Sequence, residues 1–114
     1  MNAAEAIKTI EKGQQYKFVC QIIPPMLAVA NMSTDMSHAS IGTRYDLVEV
    51  DLSAVPPYKI KNPGNFKAGR LRVNPDGSII QTGHSTDFSE PENAFETEQE
   101  LQSFFAIADI QILG

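Results

Sequence analysis

The sequence predicts an α+β domain built on a small, mainly antiparallel sheet. Three observations carry the prediction: a helical apolar pattern opens the chain, a second lies near its end, and the segments between and after them alternate apolar with polar residues or stop at turn residues. With 114 residues, 42% of them apolar, the chain spans one ordinary domain, 1–114, with enough apolar material for a core.

Asn2 caps the first helix, and Glu5, three residues on, completes a capping box. Ala3, Ala6, Ile7 and Ile10 repeat at helical spacing, and Gly13 is expected to end the helix. Residues 16–23 form a strand with Tyr16, Phe18, Cys20 and Ile22 on one side and Val19 and Ile23 on the other, the pattern of a strand near a sheet centre. Pro24 and Pro25 end it, since proline cannot donate to a ladder. Residues 26–32 fit a strand or a short helix with Pro25 in its first turn, and strand is the preferred reading. A polar loop covers 33–43. Residues 44–52 alternate most clearly, with Val48, Val50 and Leu52 inward and Glu49 and Asp51 outward, so a strand with one wet face is expected there.

The stretch 53–65, with Pro56, Pro57, Pro63 and Gly64, is an irregular connection, long for so small a domain. Residues 69–82 read as a hairpin around Asn74-Pro75-Asp76-Gly77, in which Gly77 takes a positive φ. A second polar loop covers 83–95. Thr97, with Glu100 three residues on, caps a short C-terminal helix bearing Leu101, Phe104 and Phe105. A final strand over 107–113 places Ile110 and Ile112 on one side. Periodicity thus puts Phe18, Cys20, Ile22, Val48, Val50, Leu52, Leu101, Phe104, Phe105, Ile110 and Ile112 in the core.

The single cysteine, Cys20, sits in an apolar run and reads as a buried hydrophobe in a reducing compartment. The N-terminus lacks a basic and then apolar leader, and the longest apolar stretch, 19–30, is broken by Gln21, Pro24 and Pro25. A cytoplasmic protein without membrane partners is therefore expected. The formal net charge of −5 argues against duplex nucleic acid as a partner, because phosphate affinity accumulates with Lys and Arg. The charge is nevertheless segregated. Lys59, Lys61, Lys67, Arg70 and Arg72 follow one another with no intervening acid, and after Arg72 all charged residues are acidic.

That basic segment is the candidate site. Tyr58, Lys59, Lys61, Phe66, Lys67, Arg70 and Arg72 interleave rings that stack on bases with cations that meet phosphate. Arg70 and Arg72 lead, because a strand holds them on one face at fixed spacing. The plainer alternative is the wet face of a hairpin neutralised by the acidic C-terminal third. Two His/Asp pairs, Asp35 with His38 and His84 with Asp87, lie in expected loops and carry the residue types of a metal or hydroxyl-activating site, but neither belongs to a recognised motif. No catalytic, metal or cofactor assignment follows. The glycines read as turn punctuation.

The helix running from Glu5-Ala6-Ile7-Lys8 to Glu11-Lys12-Gly13, the hairpin Asp76-Gly77-Ser78-Ile79 followed by Ser85-Thr86-Asp87, and the ending Ala108-Asp109-Ile110-Gln111-Ile112-Leu113 together resemble the phage Thoeris anti-defence proteins of the second type. The likeness covers about a third of the chain. This chain has no tryptophan, where that family usually shows one after the first helix and one in the last strand. The resemblance implies a phage-encoded, non-enzymatic homo-oligomer that holds a cyclic ADP-ribose-type signal at a subunit interface, and it carries over no ligand-binding residue. The leading expectation is therefore a non-enzymatic protein that sequesters a phosphorylated or nucleotide-type small molecule. The alternatives are an inhibitor or immunity-type protein acting on a protein partner, and a small enzyme using the loop histidines. The first needs a concave site with Lys and Arg, the second an exposed apolar or acidic patch, and the third needs His38 and His84 in one pocket.

Overall fold

The computed structural model describes residues 1–88 and 94–113, in which three α-helices and a short 3-10 turn surround a five-stranded sheet. Glu90 and Glu92 of the acidic run, and the middle of the expected loop 83–95, lie outside the described residues. The elements in order are α1 (Ala3–Thr9), β1 (Gln15–Gln21), β2 (Met26–Asn31), α2 (His38–Arg44), the 3-10 turn Pro63–Asn65, β3 (Phe66–Val73), β4 (Ile79–His84), α3 (Glu98–Ile107) and β5 (Asp109–Leu113).

The sheet order is β4-β3-β1-β2-β5. The two-faced apolar pattern of β1 does mark a central strand. Three pairings are antiparallel and β2–β5 is parallel, so the sheet is mixed rather than purely antiparallel. The connection is the reason. After β4 the chain crosses one face of the sheet through α3 and returns at the opposite edge running with β2, which a hairpin cannot achieve.

Each face carries its own core. On one side α1 and α3 cover Tyr16, Phe18, Cys20, Leu27, Val29, Leu71 and Ile110, with Leu101, Phe104 and Phe105 supplied by α3. On the other side α2 and the chain after it cover Val19, Ala28, Ala30 and Ala68, with Ile41, Leu47, Ile60, Phe66 and Phe88. Of the residues expected in the core, Ile22 and Ile112 are half-buried at its margin.

The helix caps form as their residues dictate. The Asn2 side chain accepts the Glu5 N–H and Glu5 reaches back to the Asn2 N–H, while the Thr97 hydroxyl accepts the Glu100 N–H. Gly13 does not end α1, whose C-cap is Ile10; its positive φ of 82° serves the turn into β1, where its N–H reaches the Val73 carbonyl. Gly77 has φ 87°, as the hairpin requires.

Residues 33–52 differ from expectation. The polar loop contains α2, capped by Ser37, whose hydroxyl accepts the Ser40 N–H. The strand expected over 44–52 is absent. Arg44 ends α2, Asp46 takes a left-handed φ of 55°, and Leu47 returns its N–H to the Gly42 carbonyl. Leu47 and Val48 are then buried side by side, Val50 is half-buried and Leu52 is 47% exposed. The backbone of Glu49 bonds to Asn62 and Lys61 instead of to a ladder. Alternation is a local pattern, and a strand also needs a neighbour with open backbone groups.

Candidate anion-binding site

β1 and β3 are antiparallel neighbours, and their register sets Lys17 directly opposite Arg70. Alternation sends Phe18 and Cys20 to the α3 side, so Lys17 and Val19 face the α2 side. Along β3, Phe66 and Ala68 belong to the α2-side core, and Arg70 continues their row. Two cations are thus paired across strands, where like charges destabilise a sheet. Neither has a carboxylate counterion: among the described residues the one ion pair joins the N-terminal amine to Asp109 at 3.1 Å. Lys17 Nζ donates to the Met36 carbonyl at 2.8 Å. Arg70 Nε is buried with no hydrogen-bond partner.

A bulge opens the space beside them. Arg70 pairs with Gly83 but Leu71 pairs with Gln81, so Thr82 is the extra residue, and its buried hydroxyl also lacks a partner. The Arg70 guanidinium lies against Gly83, where an added Cβ would stand 2.4 Å from one of its nitrogens. His84 ends β4, and the chain then folds back over the site. Asp87 Oδ2 accepts the Ala39 N–H at 3.0 Å, and the Asp87 carbonyl accepts the Tyr58 N–H at 2.7 Å. One short segment therefore ties β4 to both α2 and the long connection.

His38, the first residue of α2, is buried, with Nε2 2.7 Å from the Gly69 carbonyl. A carbonyl only accepts, so Nε2 holds the ring proton and Nδ1 presents a lone pair. Burial pushes the His38 pKa below the ordinary 6.5; the Gly69 bond and Asp87 oppose that shift, and Lys17 and Arg70 reinforce it. The imidazole is neutral near pH 7.

These groups meet in a cavity of about 200 Å³, lined by Lys17, His38, Arg70, His84 and Asp87, with Ser37 and Thr86 at its wall. Leaving the histidines out of the count, its formal charge is +1: two cations less one carboxylate. Larger depressions exist, about 570 Å³ along Phe95, Phe104 and Ile107, and about 510 Å³ at the long connection. The first is mainly apolar and the second holds its Lys59, Lys61 and Asp51 exposed, so the buried, unpartnered Arg70 Nε rather than size singles out the smaller one. Among the described residues no group of three or more His, Cys, Asp or Glu is placed to hold a metal ion.

The basic segment does not gather at one place. Arg70 lines the cavity. Arg72, half-buried two residues on, donates from Nε to Asn74 Oδ1 at 3.1 Å. Lys67 alternates to the opposite face and donates to the Ala94 carbonyl at 3.3 Å. Lys59 and Lys61 are exposed and line the separate depression with Asp51, Ala54, Ile60 and Pro63. Phe66 is buried edge-on to Phe88 with ring centroids 4.8 Å apart. Tyr58 is half-buried in the core beside it and bridges to Phe88. Sequence reasoning missed Lys17, while the convergence of His38 and His84, which it named as the condition for the enzyme reading, is found at this cavity. The signal for Lys17 was a lone cation inside the most apolar strand, and the signal for the histidines was their pair of matching loop positions.

No protein-family model, curated protein or solved structure matches this chain.

Proposed function

We propose that this chain is a binding protein for a small phosphate-bearing molecule, held in the cavity between β1, β3 and α2. The observation that carries the reading is the cross-strand pair Lys17 and Arg70, two cations on one cavity, neither within ion-pair distance of a carboxylate among the described residues, with the Arg70 Nε buried and unpartnered. An arginine fork and an ammonium are the usual partners of a phosphoryl group, and an anion placed between them relieves their repulsion. The volume suits a phosphoryl group and a few further atoms, and the only rings on its walls are the imidazoles of His38 and His84. A nucleotide ligand, which the resemblance to signal sponges implies, would seat its phosphate here and leave its base outside. Calorimetry tests the reading with inorganic phosphate, glycerol phosphate and mono- and cyclic nucleotides. Binding is expected for the unmodified protein and for Arg72→Ala, and is lost in the Lys17→Ala/Arg70→Ala double variant. No heat from any of these ligands, or equal heat from the double variant, refutes it.

One observation favours a second reading, a small enzyme. His38 and His84 line the same cavity, which is the arrangement acid–base chemistry on a bound phosphate needs. His38 Nε2 is committed to Gly69, which leaves only its Nδ1 for such a role. Release of product from phosphate esters during the same titrations distinguishes this reading from simple binding.

A further inference from the structure

The cavity contains acceptors as well as cations, and a pocket for a bare anion has no use for them. Asp87 is held in place because its Oδ2 takes the Ala39 N–H. Its other carboxylate oxygen has no partner among the described residues and belongs to a side chain that lines the cavity. His38 adds a second acceptor, since its proton is spent on the Gly69 carbonyl and its Nδ1 keeps a lone pair. Lys17, Arg70, His84 and Asp87 are the charged or titratable groups that share the cavity with it.

Resting on the phosphate-binding reading above, we infer that Asp87 and His38 select an anion that brings its own O–H donor: a phosphate that keeps a proton, or a phosphate ester of a small hydroxylated molecule. Lys17 and Arg70 receive the charged oxygens, while Asp87 and the His38 lone pair receive the hydroxyl. An anion of equal size that only accepts hydrogen bonds meets the Asp87 carboxylate with its own negative charge and leaves both acceptors unpaired. Sites built to hydrogen-bond a ligand hydroxyl reject analogues that lack it far more strongly than apolar pockets reject a missing methylene.

Inorganic phosphate and sulfate make the comparison. Both are tetrahedral and of similar size, and near neutral pH phosphate keeps at least one proton while sulfate keeps none. Calorimetry of the intact protein against each salt, in a buffer free of other oxyanions, is expected to show phosphate binding at least about tenfold more tightly. Asp87→Asn keeps an oxygen for the Ala39 N–H and replaces the other with a donor. It is expected to cut the phosphate-to-sulfate preference at least about tenfold by weakening phosphate and strengthening sulfate. Equal binding of the two ions to the unmodified protein, which needs no variant, overturns the selection while leaving the phosphate site standing. A preference that survives Asp87→Asn in protein with an unchanged melting midpoint removes Asp87 from the role and overturns the inference. Binding of neither ion overturns the phosphate site itself, and the selection with it.

Discussion

Arg70→Met separates the cost of the site from its use. In the free protein the Arg70 side chain makes no hydrogen bond to a described residue, its Nε is buried unpaired, and Lys17 stands opposite it. Removing a buried unsatisfied donor returns about 1–3 kcal/mol. Like charges directly opposite each other on neighbouring strands destabilise a sheet by roughly 1 kcal/mol. Arg70 is only half-buried, so solvent screening keeps that repulsion to about 1 kcal/mol or less. Methionine keeps an unbranched stem and loses the charged fork that lies against Gly83. In an oxyanion-free buffer Arg70→Met should therefore be more stable by about 1–3 kcal/mol, a rise of about 4–12 °C in the melting midpoint for a chain of this length. Phosphate offsets this difference. At one hundred times its dissociation constant a ligand adds about 2.7 kcal/mol to the unmodified protein, and the variant gains none of it. Differential scanning calorimetry with and without phosphate reads both arms. A lower midpoint for Arg70→Met in the oxyanion-free buffer would refute the argument, because it would make Arg70 a structural residue rather than an unpaired cation kept for a ligand.

Three further outcomes follow from the core and from buried titratable groups. Phe104→Ala removes a buried ring whose centroid lies 5.5 Å from that of Phe95, and urea unfolding should show a loss of about 3 kcal/mol; an unchanged midpoint would take Phe104 out of the core. His38 is depressed below 6.5, so the unfolded chain binds the extra proton first: stability is level above about pH 6.5 and falls as pH drops below it, by at most about 1.4 kcal/mol per pH unit. Asp51 and Asp76, held low by Ser53 and Ser78, titrate below that window, so His38→Gln should flatten the slope, and an equal slope in the variant contradicts the assignment. Burial raises the Cys20 thiol far above its ordinary value, and a thiol reagent should label it only as denaturant unfolds the protein; labelling at the unfolded rate in native buffer would show that β1 is not central.

The parts of the fold legible in the sequence are those in which local chemistry and tertiary packing agree. Asn2 with Glu5 and Thr97 with Glu100 specify helix starts within four residues, and Gly77 specifies its turn. The stretch 44–52 was misleading because its alternation is genuine while its partner is missing. Both edges of the sheet are already defined by β4 and β5, so Val48 buries itself beside α2 without any ladder. The parallel placement of β5 was equally hidden, since it depends on where α3 crosses and not on any residue within β5. The site suffered from the same limit. Charge counting found a run of cations that β-alternation and the long connection then distribute to different surfaces, with Lys67 on one face, Arg70 on the other and Lys59 and Lys61 in a depression of their own.

What assembles the cavity is a departure from regular pairing that neither charge nor hydropathy encodes. Without the extra residue at Thr82, β4 would keep its alternation past Gln81, and Gly83 would not stand opposite Arg70. With it, the one residue type that leaves room for a guanidinium stands where the guanidinium lies. The partner glycine is Gly69, where a Cβ would meet the Gly83 carbonyl at 2.7 Å and the Phe18 ring at 3.0 Å, so the two strands approach closely at the level where the Gly69 carbonyl takes the His38 proton. Gly69 and Gly83 look like punctuation in the sequence, but neither has a positive φ and neither makes a turn. Gly83 leaves room for the Arg70 fork, and Gly69 leaves room for the Gly83 carbonyl and the Phe18 ring. The bulge accounts for two buried polar atoms left without partners, Arg70 Nε and the Thr82 hydroxyl, within one residue pair of each other. Each such defect costs stability, and two of them beside two cations without an ion-pair partner among the described residues support the proposed anion site.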